Sequence, residues 1–270
     1  MKKTLQLLAL LSTTIGLQAT PVLLWAVTEN AFLAQVDATT GATTVVGNMG
    51  TMLNDIAIDA NGDMWGITHT SFYKVNKSTG ALTYVGDHTI QNGAGLGVGA
   101  DGFTIFGVGS GSQFLHTMNV LTGASTAVGL VGMGTDASGD IASNNGRLFM
   151  SSAGASPSNH VITEIDALTG QRIGAFGATE YGHGISPGKG LATGLDGILY
   201  LGSLDKIYAI NTTVGANFGE ATIPGVTLFT VNGVFDLGQI RGLASEVPEP
   251  ATMAMVGLGL CALGFARRRR

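Results

Sequence analysis

The stretch that decides the fold reads DIAIDANGDMWGITHTSFYKVNKSTGALTYVG, residues 55–86. It contains four short runs in which apolar and polar residues alternate, a pattern typical of half-buried strands. Asn61-Gly62 separates the first two runs, and the segment from Asn76 to Gly80 separates the last two. An Asn or Asp side chain starts such a turn, and glycine accepts the positive φ that closes it. The stretch therefore predicts one antiparallel unit of four short strands.

The same unit recurs along the chain at intervals of 40 to 51 residues. An aromatic residue marks the second strand of each copy: Trp25, Trp65, Phe106, Phe149 and Tyr200. An Asx-initiated turn follows the third strand, with glycine four residues after Asp37, Asn76, Asn119, Asp166 and Asn211. The first strand is visible at Asp55–Asp59, Gly95–Asp101, Asp140–Asn145 and Gly190–Asp196. Four-stranded units with this period predict the blades of a β-propeller, with the aromatic rings packed between blades.

The two ends of the repeat region are complementary. Residues 22–48 contain an aromatic strand and a hairpin but lack the strand that precedes them in other copies. The missing strand resembles Gln239–Ser245, which has no aromatic strand after it. Pairing the two completes a blade and leaves no open sheet edge, which predicts five blades. Six blades stay open because residues 211–240 repeat poorly, and an open β-solenoid is a weaker alternative.

The repeat region is similar to propeller families with degenerate repeats, such as the NHL-type and the Trp-Asp-type. The likeness is architectural, and the chain contains no signature of either family. It implies an all-β domain, here assigned to residues 20–246.

The C-terminal tail, residues 247–270, has three parts. Val247, Pro248, Glu249 and Pro250 lead into an apolar run, residues 251–266, and the chain ends on Arg267, Arg268, Arg269 and Arg270. Prolines end the preceding structure, the apolar run enters a bilayer, and the arginines hold its end on the cytoplasmic side. The tail resembles a PEP-CTERM sorting signal, a tag of exported proteins in exopolysaccharide-producing Gram-negative bacteria. The resemblance implies an exosortase that cuts near the Pro-Glu-Pro box.

The length of the apolar run favours a transient anchor. Sixteen residues span about 24 Å as a helix, less than the roughly 30 Å of a bilayer core. A plain single-pass anchor is the alternative.

The N-terminus predicts export as well. Lys2 and Lys3 precede the apolar run 5–17, and a cut after Ala19 gives a signal peptide of residues 1–19 for the Sec translocon. A buried core helix is the alternative for residues 5–17. The protein would thus cross the inner membrane, remain anchored for a time, and reach the outer surface or the extracellular matrix.

Composition excludes several functions. Residues 20–250 contain seven of the 13 basic residues and all 18 acidic ones, a balance of −11, which disfavours nucleic-acid binding. The one cysteine, Cys261, lies in the tail, so the exported domain has no disulfide, thiol nucleophile or cysteine-ligated metal.

The candidate ligand or cation site consists of Asp55, Asp140, Asp236 and His183. Asp55 and Asp140 occupy the same place in their repeats, and Asp236 lies near the corresponding segment. These carboxylates either line a central channel and bind a cation, or accept hydrogen bonds from neighbouring blade amides. His183 lies in a glycine-rich loop and either joins Tyr181 and Lys189 in a polar cluster or is exposed.

Two further patterns have ordinary structural explanations. Oxygen ligands at Asp59, Asn61 and Asp63 resemble the start of a calcium loop, but the same residues suit an Asn-Gly hairpin. Gly93–Gly99 has no lysine and opens a strand, which excludes a phosphate loop. No nucleophile elbow or His-Glu-x-x-His pair is present.

We therefore expect a non-enzymatic binding or structural protein of the exopolysaccharide or biofilm matrix, with polysaccharide or surface proteins as partners. The alternative is an exported hydrolase or lyase with a cation site at the channel mouth. The two differ in whether three or more of the following converge: Asp55, Asp140, Asp236, His69, His116 and His183.

Overall fold

A computed structural model describes residues 21–135, 137–153, 160–177, 190–203, 206–210, 212, 228–230 and 237–247. Its strands form five four-stranded antiparallel sheets. We call these sheets blades 1 to 5 and number their strands along the chain. The predicted all-β class and the predicted number of five blades are both confirmed.

Each blade is a meander whose strands run in order from the axis outwards. Blade 1 contains β20 (Ile240–Ala244), β1 (Leu23–Thr28), β2 (Phe32–Asp37) and β3 (Thr43–Asn48). Blade 2 contains β4 (Asp55–Ile58), β5 (Met64–Ile67), β6 (Ser71–Val75) and β7 (Leu82–Asp87). Blade 3 contains β8 (Gly93–Val98), β9 (Ile105–Gly109), β10 (Ser112–Met118) and β11 (Ser125–Ala127).

The last two blades follow the same order. Blade 4 contains β12 (Ala137–Asn144), β13 (Arg147–Ala153), β14 (His160–Ile165) and β15 (Arg172–Gly177). Blade 5 contains β16 (Gly190–Thr193), β17 (Leu199–Ser203), β18 (Lys206–Ile210) and β19 (Leu228–Thr230). The first strands β4, β8, β12, β16 and β20 pack against one another in turn, and β20 contacts β4 again, so the blades form a ring.

The ring closes by pairing the two ends of the domain. Trp25 of β1 lies opposite Ala244 of β20, and Ala26 lies opposite Leu243. The closing segment Gln239–Ser245 therefore lies beside the Trp25 strand, as the complementary ends predict.

Aromatic residues fill the spaces between blades. Trp65 of blade 2 packs with Leu96 and Ile105 of blade 3, and Phe106 of blade 3 packs with Ile141 of blade 4. Trp25 and Tyr200 make the equivalent contacts with blades 2 and 1. Burial of one such ring stabilises the fold by about 2–3 kcal/mol.

The ring has two faces. In a meander the first and third turns lie at one end and the second turn at the other. The first and third turns, together with Ser245–Val247, form what we call the tail face, because the C-terminal tail leaves the domain there.

Candidate functional site

Five equivalent positions on the first strands surround the ring axis. They are occupied by Asp55, Gly95, Asp140, Gly190 and Gly242, each followed by isoleucine or leucine. The axis therefore holds two carboxyl groups and three glycines.

Both carboxyl groups bind backbone amides of other blades. Asp55 Oδ1 accepts the N–H of Ile56 at 2.8 Å, and Oδ2 accepts that of Leu96 in blade 3 at 2.7 Å. Because the first strand of a blade has an unpaired edge, these carboxylates satisfy amides that otherwise lack a partner at the axis.

Asp140 plays the same role on the other side of the axis. Its Oδ1 accepts the N–H of Ile141 at 2.5 Å, and its Oδ2 accepts that of Leu191 in blade 5. The two carboxyl groups together therefore accept backbone amides from blades 2, 3, 4 and 5.

The three glycines allow the first strands of neighbouring blades to approach closely at the axis. A Cβ on Gly242 would lie 2.0 Å from Asp55 Oδ1 and 2.6 Å from Asp55 Cα. A Cβ on Gly95 would lie 2.7 Å from Asp140 Cα. The pattern of two aspartates and three glycines is thus a requirement of packing at the axis.

Asp55 and Asp140 are hydrogen-bonded to each other and fully buried. Burial raises the pKa of Asp140 to about 8. Burial, followed by the charge on Asp140, raises the pKa of Asp55 well above its usual value. Two adjacent carboxyl groups in a low dielectric share a proton because two charges there repel each other.

This shared proton predicts a pH-dependent stability. In the unfolded chain both aspartates ionise near pH 4. The folded ring retains a proton up to about pH 8, so it binds more protons than the unfolded chain across this window. The free energy of unfolding, measured in urea, should therefore fall as pH rises from about 4 to about 8, by at most ~1.4 kcal/mol per pH unit per proton. We expect Asp55→Asn to reduce this slope without abolishing it, because Asp140 remains buried and still titrates.

The matched control is Asp87→Asn, because Asp87 is an exposed carboxylate whose pKa is lowered by a hydrogen bond from Ser71. This variant should retain the slope of the parent protein. A parent protein whose stability does not change between pH 5 and pH 8 would contradict a shared axial proton.

A cavity of about 340 Å³ extends along the axis from the carboxyl pair towards the tail face. Each blade contributes consecutive residues of its first strand, beginning with Ile56, Leu96, Ile141, Leu191 and Leu243. Ser143, Thr193 and Ser245 supply polar atoms higher up, and the turn residues Ala100 and Gly146 lie nearer the mouth. The cavity thus has an apolar base and a mixed rim.

Glu246 and Val247 close one side of the mouth. Glu246 Oε1 accepts the indole N–H of Trp25 at 3.3 Å, and Lys77 Nζ lies 2.8 Å and 3.1 Å from its two oxygens. Asp59 accepts the indole N–H of Trp65 in the same way at 3.0 Å. Since Glu246 follows Gly242 as Asp59 follows Asp55, it completes the repeat of blade 1.

Several predicted site residues lie outside the described residues, namely Asp236, His183, Tyr181 and Lys189. Within the described ranges, no group of three His, Cys, Asp or Glu side chains is arranged to hold a metal ion. The sequence predicts that an enzyme differs from a binding protein in whether three or more of six acidic and histidine residues converge. Among those that the structure describes, Asp55 and Asp140 converge.

The described histidines are at the other end of the ring or inside a blade. His69 contacts Asn54, His88 contacts the Thr68 carbonyl, and His116 contacts Ser112. Burial lowers the pKa of both His88 and His116.

The segment proposed as a calcium loop forms the hairpin between β4 and β5. Asp59 Oδ1 accepts the amides of Asn61 at 2.9 Å and Asp63 at 3.1 Å, while Oδ2 binds Trp65. Asp63 pairs with Lys74 at 2.8 Å. Turn and ring contacts thus account for both carboxylates.

Comparison of the fold with solved structures places the domain among β-propellers. It superposes with a TM-score of 0.53 on a structure from work on the de novo evolutionary emergence of a symmetrical protein, at 14% identity over 84% of this chain and 99% of that one. It superposes with a TM-score of 0.52 on a chain of a nidogen/laminin complex, at 12% identity over 83% and 98% of the two chains. At these identities the likeness concerns the fold alone. No curated protein matches the chain.

The tail gives a more specific result. Residues 246–270 match the PEP-CTERM protein-sorting motif, which confirms the resemblance noted in the sequence. The chain is therefore an extracellular β-propeller protein sorted by an exosortase, with membrane-associated processing on its way to the cell surface. Pro248, Glu249, Pro250, the apolar run and Arg267–Arg270 lie outside the described residues, as does the predicted signal peptide. No helix within the described ranges is long and apolar enough to span a bilayer.

Sequence reasoning missed two parts of this site. The glycines opposite the aspartates were visible as equivalent positions, but a glycine at the start of a strand is usually attributed to a turn. Glu246 lies at the boundary between the domain and the tail, where its spacing from Gly242 was the available signal.

Proposed function

We propose that the processed protein is a non-enzymatic binding component of the exopolysaccharide or biofilm matrix, and that the axial cavity and its rim bind a saccharide end or side group. The sorting tail supports delivery to the surface, where such polymers accumulate. The observation that carries the proposal is a preformed cavity with an apolar base and hydroxyl groups towards its rim.

The buried carboxyl pair supports a binding role over hydrolysis. A general acid must reach the proton acceptor on its substrate. Asp55 and Asp140 are fully buried, and their oxygens bind backbone amides and each other. Their hydrogen bonds therefore stabilise the ring of blades and leave neither group in a position to protonate a substrate.

A plugged cavity tests the proposal. Ala100 is exposed at the cavity rim, so Ala100→Trp places an indole across the mouth. We expect the parent protein to bind exopolysaccharide fractions in pull-down and glycan-array measurements, and Ala100→Trp to weaken that binding at least tenfold.

Thr39→Trp is the matched control, because Thr39 is an exposed turn residue of the same face outside the cavity. It should bind like the parent protein. Absence of binding to any matrix polysaccharide would overturn the proposal, and equal binding by Ala100→Trp would exclude the cavity as the site.

A further inference from the structure

Five of the eleven large apolar residues that are exposed in the described part of the chain lie on one sector of the tail face. The exposed fraction is 53% for Phe103, 86% for Leu121, 89% for Leu168, 59% for Leu195 and 40% for Ile198. All five lie in turns of blades 3, 4 and 5. Single exposed apolar residues are common on proteins, but a cluster around one pole of a ring indicates an interaction surface.

Turn geometry presents these residues in a repeated manner. The backbone N–H of Phe103, Leu121 and Leu168 donates at 2.8 to 2.9 Å to the Asx side chain two positions earlier. Ile198 donates to Asp196 in the same way at 3.1 Å. Four of the five apolar side chains are thus held outside the fold by a turn that an Asx side chain caps.

Blades 1 and 2 have the same turns with polar residues at the same position. Thr39, Asn61 and Ser78 donate to their Asx partners at 2.8 to 2.9 Å and are exposed. The turn itself does not require an apolar residue at this position. The apolar residues at the same position in blades 3 to 5 therefore have another cause.

The path of the chain indicates which surface lies next to this sector of the tail face. Val247 lies at the cavity mouth beside Gly102, which precedes Phe103. The apolar run of the sorting tail begins four residues later, at Ala251. Four residues span at most about 14 Å, so a tail held in the bilayer keeps the tail face next to the lipid surface.

We propose that the tail face docks on the lipid interface through blades 3 to 5 while the tail is in the membrane. Phe103, Leu121, Leu168, Leu195 and Ile198 enter the boundary between headgroups and acyl chains, as the apolar face of an interfacial protein does. In this position the axial cavity faces the membrane, and cleavage of the tail releases it.

Site-specific fluorescence tests the docking with the full chain in phosphatidylcholine vesicles. In a Cys261→Ser background, a single cysteine at Leu168 carries an environment-sensitive label. Leu130 provides the matched control because it is 98% exposed and follows β11, at the opposite end of blade 3. We expect brominated lipid to quench the label at position 168 at least twofold more than the label at position 130. Equal quenching would overturn the proposal.

A second variant separates docking from mere proximity. A label at Leu195 is measured in a chain that also carries Leu121→Asn and Leu168→Asn, two exposed changes that leave the core intact. Its quenching should fall at least twofold, whereas Thr39→Asn with Ser78→Asn should leave it unchanged. A label at Leu195 that is unaffected by the leucine changes would contradict docking by this sector. Neither measurement uses a matrix ligand, so both are independent of the binding test.

Discussion

Replacement of Gly242 by alanine is expected to prevent the ring from closing. The new Cβ would lie 2.6 Å from the Cα of Asp55, and this backbone atom cannot move without displacing β4. Since real Cβ atoms do not approach so closely, either β20 or β4 must leave its place, and overpacking of this kind is strongly destabilising. We expect a loss of about 4 kcal/mol or more, measured as the free energy of unfolding in urea.

Gly146→Ala is the control for this experiment. Gly146 has a φ of +76° and nothing within 4 Å of its added Cβ, so the substitution costs only the strain of a non-glycine residue in the left-handed region, about 1–2 kcal/mol. A second variant, Gly242→Ala with Asp55→Gly, removes the carboxyl group but leaves the clash with the β4 backbone, and should recover part of the loss. Equal losses for Gly242→Ala and Gly146→Ala would contradict the close approach at the axis.

Removal of the closing strand should abolish cooperative folding. A chain that ends at Gly238 lacks β20, and with it the buried side chains of Ile240 and Leu243. Blade 1 would then expose the edge of β1, and blades 5 and 2 would lose their neighbour at the axis. An exposed apolar edge favours aggregation. We expect such a chain to show no sharp urea transition and to elute as aggregates in size-exclusion chromatography.

The matched chain ends at Val247 and lacks only the tail. It retains β20 and the contacts of Glu246 with Trp25 and Lys77. It should unfold in a single sharp transition, and a peptide of residues 239–247 should restore that transition to the shorter chain. If the chain ending at Gly238 unfolds at the same urea concentration as the longer one, the closing strand is not required.

The sequence predicted the ring because local signals and the global pattern agree. Turn residues such as Asn76 and Gly80 set the hairpins, and the alternation of side chains set the faces of each strand. Closure was predictable because Gln239–Ser245 repeats a strand that the first unit lacks. The turn and alternation signals are local, and the closure signal compares two distant segments of the same chain, so a single sequence contains all three.

Blade 5 shows where this reasoning loses information. Its outer strand, Leu228–Thr230, follows a longer connection than in the other blades, and Val214 replaces the threonine of the Asx-x-x-Thr-Gly motif. The position of the strand is seen in its pairing with β18, which is a tertiary contact. The pattern of residues 211–240 therefore left both five and six blades open.

The contact between Asp55 and Asp140 was equally beyond the sequence. These residues belong to blades 2 and 4, which are not neighbours, and their carboxyl groups meet only because a five-membered ring has a narrow axis. Their equivalence in the repeat was readable, whereas their shared proton depends on the ring radius and on the glycines of the other three blades.

The position of β20 has a consequence for the order of events during secretion. Export through the predicted N-terminal signal peptide would deliver this chain to the far side of the membrane from its N-terminus, so the partner that β1 needs would arrive last. Blade 1 stays incomplete until Ala244 has emerged, and the sorting motif follows within two residues. Completion of the last blade and retention of the chain at the membrane would therefore occur at nearly the same time. A chain whose export stops earlier would have neither a complete ring nor a sorting motif that can be cleaved.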